Sequence, residues 1–137
     1  VILCSGKIYY EILEERDKRE IKDIYLIRIE QLYPFPYKAL NKELSRFPFA
    51  EFIWCQEEPR NMGAWTYIIE PMQHLFQEAG RDDLNIDFVG RQAAASPATG
   101  LMSRHLKEQA DIINQALSLG SKEANKPVKK RKNRNKR

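Results

Sequence analysis

The chain has 137 residues, 42% of them apolar and 10% aromatic, which excludes an intrinsically disordered chain and allows a single hydrophobic core. Its formal charge of +4 averages two unlike parts: residues 121–137 carry nine Lys or Arg against the one acid Glu123, which leaves the first 120 residues at −4. No run approaches the roughly 18 apolar residues of a membrane span, and the apolar run Val1 to Cys4 is too short for a signal peptide, so a soluble protein with no membrane partner is expected.

Val1 to Ser5 is a continuous apolar run and reads as a first strand. After Gly6 comes a helical pattern, with Ile8, Ile12 and Leu13 on one face and Glu11, Glu14, Glu15, Arg16, Lys18 and Arg19 on the other. Ile24 to Leu32 predicts a second strand, ended by Tyr33-Pro34-Phe35-Pro36, whose prolines cannot donate to a ladder. Tyr37 to Phe47 predicts a short helix carrying Leu40 and Leu44, stopped by Pro48. Phe49 to Cys55 is the third predicted strand and Ala64 to Glu78 the third helix, with Gly80 as its stop. Asn85 to Val89 predicts a fourth strand, Gly90 to Gly100 a loop, and Leu101 to Leu119 a last helix in which Leu106, Ala110, Ile113 and Leu117 recur at helical spacing before Gly120.

Short apolar strands alternating with helices predict an α/β domain over residues 1–120: three layers, α/β/α, around a mostly parallel open sheet. In such a sheet ligands and partners gather beyond the carboxyl ends of the strands. The richest polar segments fall there: Ser5 to Lys7, Glu30 to Pro34, Gln56 to Trp65 and Gly90 to Gly100.

Nothing in the sequence forms a complete catalytic set. HExxH, GxSxG, Walker A and GxGxxG are all absent, and Ser5-Gly6-Lys7 lacks the rest of a phosphate loop. His74 and His105 lie among apolar helical neighbours and read as structural or solvated. Adjacent Glu57 and Glu58 point to opposite faces of a strand, which leaves one carboxylate to pair with Arg60 or cap a helix. Cys4 and Cys55 are expected to be buried, reduced thiols, since their spacing fits neither CxxC nor a zinc knuckle. Gly6, Lys7, Arg60, Gly90 and Arg91 put cations and backbone donors near one crevice, where an anion could sit or salt bridges to a neighbouring domain could form. Residues 121–137 have Val128 as their one large apolar side chain and are expected to be a disordered basic tail. Without stacking aromatics, any nucleic-acid binding by that tail is expected to be weak and indifferent to sequence.

Four motifs stand in order: LCSGKIYY (3–10), RIEQLYPFP (28–36), WCQEEPRNMGAW (54–65) and GRQAAASPATG (90–100). Together they resemble the C-terminal domain, of transketolase type, of the thiamine-diphosphate-dependent first component of the 2-oxoglutarate dehydrogenase complex, over about residues 1–119. The resemblance implies a larger homodimeric enzyme of the tricarboxylic acid cycle. That enzyme decarboxylates 2-oxoglutarate and passes the succinyl group to the lipoyl arm of a succinyltransferase component, in the bacterial cytoplasm or the mitochondrial matrix. Thiamine diphosphate and Mg²⁺ would be bound by other domains, so this piece by itself is expected to hold no cofactor, metal or catalytic residue and to be inactive. Its role would be contact with the other domains of the same chain and with the dimer partner, through Tyr33, Phe35, Glu57, Arg60, Asn61, Trp65 and Arg91. Some relatives bind acetyl-CoA at this domain. A similar acyl-CoA or anion site here would use Ser5, Lys7, Gln56, Arg91 and Gln92, where Gln92 replaces the second of two adjacent arginines. Beside this reading stand a free-standing module for a small anionic ligand and a nucleic-acid-associated protein acting through its tail. The latter is disfavoured by the acidic body.

Overall fold

The computed structural model describes residues 1–119; Gly120 and the basic segment 121–137 lie outside the described residues. Eight elements alternate along the chain: β1 (Ile2–Cys4), α1 (Ile8–Lys18), β2 (Leu26–Arg28), α2 (Tyr37–Leu44), β3 (Phe52–Pro59), α3 (Trp65–Glu78), β4 (Ile86–Arg91) and α4 (Met102–Leu119). The four strands form one sheet in the order β2-β1-β3-β4, every neighbouring pair parallel. This is the α/β/α architecture expected from the alternation of short apolar runs and amphipathic stretches.

Strand geometry divides the core into two layers. Side chains alternate between faces, so Leu3, Phe52, Trp54 and Ile86 meet α2 and α3 through Leu40, Leu44, Trp65, Ile68, Met72, Leu75 and Phe76. Ile2, Cys4, Ile53, Cys55 and Val89 point the other way, onto Ile8 and Ile12 of α1 and Ile112, Ala116 and Leu117 of α4. A strand covered on both faces has no polar side to present, which is why β1 reads as an unbroken apolar run. Both cysteines are free and buried.

The boundaries differ from the sequence expectation in ways that matter for the rim. The nine-residue strand predicted at Ile24 to Leu32 shrinks to Leu26–Arg28, because β2 is an edge strand whose one partner, β1, ends at Cys4. The last ladder contact on that side is Ile29 N–H donating to the Cys4 carbonyl at 2.8 Å. The third strand starts later than predicted and ends later. Phe49 is exposed, whereas Gln56, Glu57, Glu58 and Pro59, expected in a loop, belong to β3. They remain extended because β4 also runs on, to Arg91, and pairs Pro59 with Arg91 across an irregularity between Cys55 and Pro59.

The last helix is rotated relative to its predicted face. The buried side chains are Gln109, Ile112, Ala116 and Leu117, while Leu106 and Ala110, predicted to face the core, are exposed. Gln109 occupies a core-facing position because Glu11 and Glu57 accept its amide hydrogens, at 2.8 and 3.0 Å. A polar group with such partners can be buried, and its burial leaves Leu106 and Ala110 facing outward.

If α4 presents this face, Ile112→Ala costs about 2–4 kcal/mol and Leu106→Ala less than about 0.5 kcal/mol, read from urea unfolding midpoints. Equal losses at the two positions would contradict the rotation.

Candidate functional site

The four strands end on one rim, with Cys4 level with Arg28 on one side and Cys55 on the other, and Cys55 level with Val89. Beyond that level β3 continues alone with β4, so its polar residues project above the rest of the sheet.

Gln56 organises this overrun. It is 3% exposed. Its Oε1 accepts from the Trp54 indole N–H at 2.9 Å and from the Trp65 backbone N–H at 3.0 Å. Its Nε2 donates to the Met62 carbonyl at 2.7 Å and the Pro59 carbonyl at 3.1 Å. One amide therefore ties β3, the following turn and the start of α3 together. Gly63 lies against it at φ +67°, where a Cβ would stand 2.9 Å from Gln56 Oε1. Both the backbone conformation and the close approach require glycine. Gly90 is required by closeness alone: a Cβ there would meet the Phe88 ring at 2.5 Å and the Gln56 carbonyl oxygen at 3.0 Å.

A charged network runs beside the hub. Lys7 pairs with Glu11 and lies 3.6 Å from Glu57. Gln109 bonds to both carboxylates and accepts a long contact, 3.5 Å, from Arg91. The Arg91 side chain is 9% exposed; its Nη2 is 3.0 Å from His105 Nδ1 and its Nε is 3.2 Å from Glu108 Oε2. That Nε is close enough for an ion pair but makes no hydrogen bond, leaving a buried donor unbonded. Hydrogen bonds from Thr99 and then Arg104, with Arg91 nearby, hold the Glu108 carboxyl below its ordinary range. Burial pushes the Glu11 carboxyl up, but Lys7 and Gln109 together outweigh it and the net shift is downward. On the same face of the sheet, burial pushes the Cys4 thiol up to about 12 and raises Cys55 as well, which makes both poor nucleophiles.

The residues predicted for contact fall into two groups. Tyr33 is 85% exposed and follows the rim of β2, joined to Pro34 by a cis peptide. Arg60 is exposed too, but it pairs with neither Glu57 nor Glu58 as the sequence suggested. Its guanidinium lies 5.0 Å from the Phe88 ring centroid and 5.5 Å from that of Trp65, while Glu57 turns to Lys7 and Gln109. Asn61 is also exposed, and its side-chain amide makes two bonds with the Ala94 backbone, at 3.0 and 3.1 Å, fastening the loop after β4 to the turn after β3. Phe35 and Trp65 are buried members of the core, and Arg91 is enclosed by α4.

The five residues expected to share an anion site are divided between two clefts. Ser5, Lys7 and Gln56 line one of about 600 Å³, together with Tyr33, Glu57, Gly63 and Tyr67. Arg91 and Gln92 line another of about 500 Å³, with Ser96, Thr99, Arg104 and Glu108. Gly6 N–H, counted among the free donors, binds Glu30 Oε1 at 2.9 Å. Among the described residues no three His, Cys, Asp or Glu side chains are grouped to hold a metal ion. Sequence reasoning missed Glu11, Gln109 and Glu108. Their one visible signal was a polar Gln109 next to the apolar stripe of α4, which periodicity assigns to solvent.

A family model described as the 2-oxoglutarate dehydrogenase C-terminal domain matches residues 1–117. The chain belongs to that family. Proteins named 2-oxoglutarate dehydrogenase E1 component from Brucella anthropi, Brucella ovis and Brucella canis are each 56% identical over 117 residues, which is 85% of this chain. The chain spans 12% of the length of these curated relatives. As a 2-oxoglutarate dehydrogenase C-terminal domain, it carries its densest polar network at the carboxyl rim, between β3, β4 and α4.

Gln56→Ala would strand two N–H donors and two carbonyls at the rim, and unmade buried bonds cost about 1–3 kcal/mol each. A loss of roughly 3 kcal/mol or more is expected in urea unfolding. Because both tryptophans of the chain bond to Gln56, a red shift in fluorescence should accompany it. A stable variant with unshifted emission would show that the hub is dispensable.

Proposed function

We propose that this chain acts as the contact-forming C-terminal domain of a complete 2-oxoglutarate dehydrogenase E1 component. In that reading the complete enzyme carries out oxidative decarboxylation of 2-oxoglutarate and succinyl transfer to a lipoyl group. Thiamine diphosphate and Mg²⁺ are held by its other domains and supply the carbanion-stabilising chemistry. The enzyme works as a homodimer beside a lipoyl-bearing succinyltransferase, in the bacterial cytoplasm or the mitochondrial matrix. The family match over residues 1–117 carries the proposal. It is supported by the build of the rim, where Gln56, Asn61 and the Lys7 to Arg91 network fix the backbone and leave Tyr33, Glu58 and Arg60 exposed. A preformed surface loses little entropy on docking. Among the described residues no helix is long and apolar enough to cross a membrane.

The direct test uses the chain alone and a hybrid in which it replaces the matching segment of the Brucella anthropi protein, both assayed with 2-oxoglutarate, thiamine diphosphate, Mg²⁺ and an artificial electron acceptor. The chain alone should give no turnover and the hybrid should be active. Tyr33→Glu in the hybrid should lower activity about thirtyfold, the equivalent of a hot-spot loss of roughly 2 kcal/mol. Saturable activity in the isolated chain, or an indifferent Tyr33 variant, would contradict the proposal.

A second reading, an acyl-CoA or other anion held beside Arg91 and Gln92, is favoured by one observation, the unbonded buried Nε of Arg91. Ser5, Lys7 and Gln56 would not share that cleft. Calorimetric titration of the hybrid with acetyl-CoA should give saturable heat that Arg91→Met removes; no heat ends this reading.

A further inference from the structure

Between Gln92 and Ser103 there is no charged residue, in a chain whose charged fraction is 31%. Thr99 is half-buried and the other eleven positions are exposed. The run ends in apolar side chains at the start of α4: Leu101 is 69% exposed, Met102 71%, and Leu106 on the next turn 62%. This surface is also held in place. Asn61 grips the Ala94 backbone, Thr99 donates to Glu108, and the Leu101 carbonyl accepts from the His105 N–H at 2.9 Å. Arg91, the last residue of β4, contacts His105, so the residues of α4 before His105 stand past the end of that strand.

We propose that Gln92 to Ser103, together with Leu106, is a docking ledge for the polypeptide that precedes this domain in its relatives. The inference rests on the reading of the chain as a contact domain and names a contact surface that contains none of the seven residues expected to make that contact, Tyr33, Phe35, Glu57, Arg60, Asn61, Trp65 and Arg91. An exposed run that lacks charge and carries leucine and methionine has the composition of an interface centre. Its fixed backbone lowers the cost of ordering on docking.

Three occupants can be compared. A second copy would bring another body of net charge −4 against the first, which disfavours close approach. Residues 121–137 offer Val128 as their one large apolar side chain and cannot cover the ledge. The relatives, by contrast, carry a far longer polypeptide, since this chain spans 12% of their length. The ledge lies on the same rim as Tyr33 and the turn after β3, so one neighbouring surface could cover them together.

Hydrogen exchange of the chain alone and of the Brucella anthropi hybrid tests this. Amides within 92–106 should exchange at least about tenfold more slowly in the hybrid, the equivalent of 1.4 kcal/mol or more of added protection. Met102→Glu with Leu106→Glu should remove that protection while leaving the unfolding midpoint of the chain alone unchanged. Protection at Tyr33 and residues 57–64 without any at 92–106 would overturn the ledge and spare the contact-domain reading. No protection anywhere on the rim would overturn both. If the chain alone is dimeric by light scattering and Leu106→Glu makes it monomeric, the ledge belongs to a second copy and the inference fails.

Discussion

Where β3 runs past the end of β1, its backbone loses a ladder neighbour on one side, and the side chain of Gln56 fills the resulting demand for hydrogen bonds. Buried amides and carbonyls without partners are costly. The turn from Pro59 to Gly63 can be compact because one side chain satisfies Met62 and Pro59 while binding the first residue of α3. The positions of Arg60, Asn61 and Trp65 follow from that arrangement. Through Asn61, so does the anchoring of the loop after β4.

The charged network has a different physical role. Its ion pairs are partly exposed, Lys7 most of all, and contribute little net stability, whereas buried Gln109 would lose a hydrogen bond with each carboxylate removed. Lys7, Glu11, Glu57, Gln109, Arg91, His105 and Glu108 link the carboxyl ends of three strands to α1 and α4. Because Gln109 must reach both carboxylates, the network sets the rotation of α4. That rotation puts Ile112 and Ala116 in the core and leaves Leu106 in solvent. Specificity of packing, more than added stability, is what the polar groups contribute.

These two features make the carboxyl rim a preorganised surface instead of a set of loops awaiting order. For a member of the 2-oxoglutarate dehydrogenase C-terminal family, whose relatives are much longer chains, this suits a domain that meets its neighbours edge-on. The two rim clefts are joined through Gln56, which lines one and bonds to the carbonyl of Pro59, which lines the other.

Residue pattern alone determined the layer order and the parallel sheet. Apolar runs too short to be helices, separated by amphipathic stretches long enough for crossovers, leave few other ways to bury both faces of each strand. The rim was legible as the place where Gln56, Glu57, Arg60, Asn61 and Arg91 gather, because strand ends in such a sheet share one edge. Tertiary structure alone decided which of these side chains remain at the surface. Phe35, Trp65 and Gln56 look like exposed rim residues in the sequence, yet packing draws them inward. Leu106 looks buried, yet the bonds of Gln109 to residues 52 and 98 positions away turn it out. Helical periodicity registers an apolar stripe, whereas the orientation of that stripe depends on polar partners distant in sequence, and no local pattern encodes them.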